Sequence, residues 1–157
     1  MGTPKAFTLV ELAITLAILG IIAAIAIPTF QRYAINGNLK AAARDITSDV
    51  ALLTERAIAE NRMYRITLDV GTNSYTLRQC NALGSPCPSW ALLQVKNFMG
   101  SESDISFDPG ATPVTDYFFQ ARGTVTNGSL VLTNSRGSTA TITITVTGRQ
   151  NVQFNLQ

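Results

Sequence analysis

The chain has 157 residues, with 12 Lys and Arg against 10 Asp and Glu, and no histidine. A formal charge of +2 with no run of cations gives no basis for a general affinity for nucleic acid. Without histidine there is no Ser-His-Asp or Cys-His set and the commonest metal ligand is missing, so no enzyme, metal centre or cofactor is expected.

Residues 1–6, Met1-Gly-Thr-Pro-Lys5-Ala6, are a short leader with one cation, and Phe7 to Phe30 follows as 24 residues carrying a single charge, Glu11. As a helix that run spans roughly 36 Å, enough to cross a bilayer. A secretory signal peptide has an apolar region of about 7–15 residues ended by a small-residue cleavage site. Here the run is longer and leads into Pro28-Thr-Phe-Gln-Arg32. Lys5 ahead of it predicts a leader kept inside and an exported C-terminal part. Glu11 is the anomaly, because a carboxylate at a helix centre in lipid costs about 2.5–3.5 kcal/mol on insertion scales. It is therefore a functional candidate, with a hydrated acid near the membrane surface as the alternative. If the chain is cut between Ala6 and Phe7, Glu11 lies four residues from a new α-amino group and can pair with its own or a neighbour's.

Phe7-Thr8-Leu9-Val10-Glu11-Leu12 after a basic leader, then an apolar run with Gly20 and Ala26-Ile27-Pro28, resembles the class III signal of type IV pilins and of the pseudopilins of type II secretion. The resemblance implies cleavage by a prepilin peptidase between Ala6 and Phe7, N-methylation of Phe7, and a contact between Glu11 and the Phe7 amine of a neighbouring subunit during assembly. The residue before the cut is usually Gly in that family and is Ala6 here. The resemblance further implies a single-pass protein of the bacterial inner membrane, N-in and C-out, which the inner-membrane assembly machinery builds with other pilins, as homo- or hetero-oligomer, into a pilus or a periplasmic pseudopilus.

Beyond the membrane run, Ile35, Leu39, Ala42, Ala43, Ile46, Val50, Leu53 and Ala57 recur at steps of three and four, with Lys40, Arg44, Asp45, Asp49 and Arg56 assigned to other faces. This predicts an amphipathic continuation to about Glu60. Pro28 inside the helix predicts a kink or local opening, and Gly20 weakens the same stretch or permits close helix packing. In the family resembled, the segment between two such positions often loses helicity in the filament.

From Asn61 the period changes to two. Met63–Val70, a Gly71-Thr-Asn turn and Ser74–Arg78 predict a hairpin. Further strands are expected at Ala91–Val95, Tyr117–Ala121, Leu130–Leu132, Ala140–Thr147 and Val152–Leu156. In the last but one, Ile142, Ile144 and Val146 are expected on one face and threonines on the other. Loops are expected at Ser85–Pro88, Ser101–Ser106 and Asp108–Gly110. Trp90 and the pair Phe118-Phe119 are expected in the core, with a binding face as the alternative, and Asp104 and Asp108 in a solvated acidic loop, with a carboxylate pair or a calcium loop as the alternative, although calcium-ligand spacing is absent. In an oxidising compartment Cys80 and Cys87 are expected to close a small disulfide loop worth about 2–3 kcal/mol, with reduced thiols as the alternative.

The chain thus divides into a leader (1–6), a transmembrane and assembly helix (7–30), its amphipathic continuation (31–60) and a β-rich globular domain (61–157). The fold class is α+β, a long N-terminal membrane-spanning helix packed on a C-terminal antiparallel β domain. Ala41-Ala-Ala-Arg44, Arg56-Ala-Ile-Ala-Glu-Asn61, the strand at Tyr64–Leu68 and Ile-Thr-Val-Thr-Gly-Arg149 are similar to the H-type minor pseudopilins and their minor-pilin counterparts. That subgroup implies a two-sheet domain on the end of the helix and a subunit near the filament tip that helps start assembly. Some pilus members bind DNA through a Gly-Arg-x-Arg end, which makes Arg149 the candidate DNA contact. Here that end is Gly148-Arg149-Gln150-Asn151, without the second arginine. A role in DNA uptake would require Arg122, Arg136 and Arg149 to converge.

Overall fold

A computed structural model describes residues 7–84, 86–98 and 104–157. The leader with Ala6, and Ser85 and residues 101–103 of the expected loops, lie outside the described residues. Among the described residues there are one helix, α1 (Leu9–Ala59), and eight strands: β1 (Arg62–Asp69), β2 (Ser74–Leu83), β3 (Trp90–Asn97), β4 (Ser106–Phe107), β5 (Asp116–Phe119), β6 (Gly128–Thr133), β7 (Thr139–Ile144) and β8 (Gln150–Asn155). They fall into two compact units, one ending at Ala34 and the other Ile35–Gln157.

In the first unit α1 is apolar on every side, and its most apolar 18-residue window has a mean hydropathy of 2.6 with no residue buried. A helix hydrophobic all round needs lipid or other helices around it. The assigned helix runs unbroken through Pro28, so the opening expected there is absent in the isolated chain. Pro28 removes one backbone donor, and the next residue, Thr29, adds a side-chain bond to the Ile25 carbonyl at 3.1 Å. A Cβ added at Gly20 would meet nothing within 4 Å, so the glycine answers no packing need within the chain.

In the second unit the three- and four-residue spacing puts Leu39, Ala42, Ala43, Ile46, Val50, Leu53 and Ala57 on one buried face of α1. Asn61 ends the helix in the left-handed region (φ 48°), the usual place for Gly or Asn, and its carbonyl accepts from Gly84 N at 3.0 Å. Two antiparallel four-stranded sheets follow, in the orders β3-β2-β1-β5 and β4-β6-β7-β8. Tyr64, Ile66 and Leu68 of β1, Tyr75 and Leu77 of β2, and Tyr117 and Phe119 of β5 share one core with the helix face and with Leu130, Leu132, Ala140, Ile142 and Ile144 of the second sheet. Asn73 ties the sheets together: its carbonyl accepts from Phe98 N at 3.1 Å and its side-chain oxygen from Phe107 N, on β4, at 3.0 Å.

Several expectations are corrected. The strand expected over Ala140–Thr147 ends at Ile144, because the Thr145 hydroxyl accepts from Arg149 N at 3.1 Å and Gly148 turns the chain at φ 74°, leaving Val146 exposed rather than aligned with Ile142 and Ile144. Ser106 is in a short strand rather than a loop, paired with Thr133. Trp90 and Phe118 are only half-buried and pack around Arg65, with the guanidinium 4.8 Å from the Trp90 ring centroid and 5.9 Å from that of Phe118. Only Phe119 of the three enters the core.

Asp49 is not on a solvent face but on the buried one, 6% exposed. Lys96 Nζ donates to both of its oxygens, at 2.8 and 2.7 Å, and the Tyr75 hydroxyl donates to Oδ2 at 2.7 Å. One carboxylate on the helix therefore fastens β2 and β3 of the first sheet. Near the other end of the domain's helix, Asn36 Oδ1 accepts from Asn134 Nδ2 (3.1 Å) and Ser138 Oγ (2.9 Å), which fixes the β6–β7 turn.

The buried phenols make alkaline stability a check on this packing. Burial, helped by the bond to Glu60, pushes Tyr64 up to about 12; burial alone pushes Tyr117 up to about 12; burial and Asp49 push Tyr75 up further. Their folded values lie above the unfolded value near 10, so the stability they contribute is complete below about pH 10 and is lost as pH rises beyond it. Phenolate absorbance followed alongside circular dichroism is expected to show these three phenols ionising with the loss of fold. Their ionisation near pH 10 in a folded domain would contradict the packing.

Candidate functional site

The start of α1 is built by four residues, Thr8-Leu-Val-Glu11. Thr8 is the N-cap: its carbonyl accepts the first helical bond from Leu12 N at 3.2 Å, and its hydroxyl accepts from Glu11 N at 3.2 Å. Glu11 reaches back, its Oε2 accepting from Thr8 N at 3.1 Å and from the Thr8 hydroxyl at 3.0 Å. This is a reciprocal capping box, in which a Thr and a Glu three residues later satisfy helix-end donors that have no partner of their own. The spacing T-x-x-E was present in the sequence and could have been recognised there. The carboxylate lies where the helix dipole favours negative charge. Both of its bonds to Thr8 use Oε2.

Phe7 stands ahead of the cap, 84% exposed, and Leu9, Val10 and Leu12 beside Glu11 are exposed too. The site is a single carboxylate in an apolar, exposed surface, where the complementary group is a cation. Gly20 and Pro28 lie further along the same segment, and Ala6 is outside the described residues.

Cys80 at the end of the buried part of β2 and Cys87 in the following loop form a disulfide. Arg62 reinforces this corner by donating to the Cys80 carbonyl at 3.0 Å. Among the described residues no group of three or more His, Cys, Asp or Glu is placed to hold a metal ion. Asp108 caps its own turn by accepting from Gly110 N and Ala111 N, and Asp104 accepts from Ser135 Oγ.

Arg136 and Arg149 do not meet. Arg136 is in the β6–β7 turn and Arg149 in the β7–β8 turn, at opposite ends of the six-residue β7 and roughly 20 Å apart along it. Arg122, in the β5–β6 connection, uses its Nε to donate to Thr124.

The model of the family described as Type II transport protein GspH matches residues 42–148, more than half of the chain. The chain belongs to the GspH family. The prokaryotic N-terminal methylation motif matches residues 1–27, which contain the capping box and the start of the apolar helix. No curated protein matches the chain. The fold is similar to that of the minor pseudopilin EpsH from the type 2 secretion system of Vibrio cholerae, with a TM-score of 0.59, 18% identity, and coverage of 74% of this chain and 97% of that one. It is also similar to that of the type IV minor pilin FimU of Pseudomonas aeruginosa, with a TM-score of 0.53, 17% identity, and coverage of 73% and 92%. This GspH-family pseudopilin is thus a structural subunit with the pilin-like fold of one long helix on antiparallel sheets. Membership and motif imply assembly with other pilins in a filament and processing by a prepilin peptidase.

Proposed function

We propose that this pseudopilin is a minor subunit of a type II secretion pseudopilus or a type IV pilus, built into the filament by its N-terminal helix. The chain is cut between Ala6 and Phe7, N-methylated on Phe7, and held before assembly in the bacterial inner membrane by residues 7–30 with the globular domain outside. The observation that carries the reading is the carboxylate of Glu11 at the first turn of α1, whose N-terminal stretch is otherwise apolar and exposed. Removing the leader frees the Phe7 amine near that carboxylate. Thr8 holds Oε2, leaving Oε1 to accept from a neighbour's amine. In an apolar surrounding such a contact selects a partner in register, because a helix out of register leaves both charges unpaired. Gly20 and Pro28 weaken the helix between them, and that stretch opens when subunits pack.

Processing is tested by intact-mass and N-terminal peptide measurement on the membrane-bound protein. The expected product lacks residues 1–6 and begins with N-methyl-Phe7. A protein that retains Met1 when a prepilin peptidase is present would contradict the reading.

A further inference from the structure

The outer face of the first sheet carries an arrangement that folding alone does not explain. Arg65 on β1 and Arg78 on β2 are direct cross-strand partners, so their side chains leave the sheet on the same side. Like charges in that relation destabilise a sheet. Arg65 is held by the Trp90 and Phe118 rings and by Asp116, whose Oδ1 is 3.9 Å from its Nε. The Arg78 side chain has no such support, and among the described residues no hydrogen bond, ion pair or ring contact reaches it. The Nε atoms of both are shielded from solvent without a hydrogen bond. Leu92, the cross-strand partner of Arg78 on the edge strand β3, is 55% exposed, and Leu93 and Val95 are exposed beside it.

We propose that this face, Arg65 and Arg78 with Leu92, flanked by Trp90 and Phe118, docks a carboxylate-bearing segment of a neighbouring pilin subunit. The inference rests on the pseudopilin reading above and adds a second contact, in the globular domain. Adjacent planar guanidinium groups fit a carboxylate through paired hydrogen bonds, and such a partner removes the repulsion between the two arginines. Partly desolvated arginine among aromatic and aliphatic side chains is the make-up of a protein interface. Nucleic acid fits less well, since two cations neutralise few phosphates and the rings that would stack bases are already packed on Arg65.

The test uses the full chain in cells that assemble filaments, with the photo-crosslinker benzoylphenylalanine at position 92. Light is expected to join it to another pilin through a peptide that contains Asp or Glu. Arg78→Glu is expected to lower recovery of the chain in purified filaments at least tenfold, and Arg in place of the captured carboxylate to restore it. Arg78→Gln should raise the thermal midpoint by about 2 °C, by removing the repulsion, while still lowering filament recovery. A residue kept for folding would not give that combination. Wild-type recovery of Arg78→Glu, no adduct, an adduct with lipid or nucleic acid, or a captured peptide without a carboxylate overturns this inference alone. Absence of the unmodified chain from filaments overturns the pseudopilin reading and this inference with it.

Discussion

Glu11→Ala is expected to leave cleavage and membrane insertion intact and to abolish incorporation into filaments. Insertion becomes easier, because the substitution removes a charge from the apolar segment. The capping box loses its return bonds to Thr8, a cost of about 1 kcal/mol confined to the first turn of α1. Assembly loses more, since the neighbour's amine stays unpaired in an apolar setting at a cost of about 3–5 kcal/mol, or at least a hundredfold in the assembly equilibrium. Glu11→Gln separates the two effects, as its side-chain oxygen still accepts from Thr8 but carries no charge. It should insert and cap as the parent does and still fail to assemble. Immunoblots of membrane and sheared-filament fractions read both variants, and incorporation of Glu11→Gln at the parent level would show that the charge is not the selective contact.

Asp49→Ala is expected to be strongly destabilising for a substitution at a polar residue of the globular domain. It removes the acceptor of two Lys96 bonds and of the buried Tyr75 hydroxyl, leaving a part-buried ammonium and a buried phenol without partners on the helix. Removing one member of such a cluster costs about 3 kcal/mol, which for a domain of this size lowers the thermal midpoint by roughly 10 °C. The double variant Asp49→Leu with Lys96→Met, which removes both charges and keeps their volume, should recover most of that loss. Thermal unfolding followed by circular dichroism measures both, and a midpoint within about 2 °C of the parent for Asp49→Ala would contradict the cluster's role.

Asp49 also shows where sequence reading stops. Every apolar position of the helix face was legible, because the period of α1 is a local property and the buried set follows it. Asp49 falls on that same face by spacing, and residue type placed it in solvent. Its partner Lys96 is 47 residues away, and only the pairing of β2 with β3 brings it near. Trp90 and Phe118 are expected in the core for a similar reason: an aromatic on an outer face is recognised by the cation it packs on, and Arg65 lies on a strand distant from both in sequence. The β1–β2 hairpin and the existence of strands near β6, β7 and β8 are legible from alternation and turn residues, whereas the pairing of those three is not. The end of β7 was missed because Val146 keeps the alternation after the Thr145–Arg149 bond has turned the chain. At the N-terminus the motif is contiguous and legible whole, and the T-x-x-E spacing that makes Thr8 the cap lies within it. The structure shows the two acting together.

The measurement that tests the account most directly is the location and form of the chain in cells assembling filaments. Purified, sheared filaments should contain it as the processed form beginning at N-methyl-Phe7, at a small fraction of the principal subunit. Finding it only in membranes, uncut or absent from filaments that form normally, would contradict its assignment as an assembled subunit.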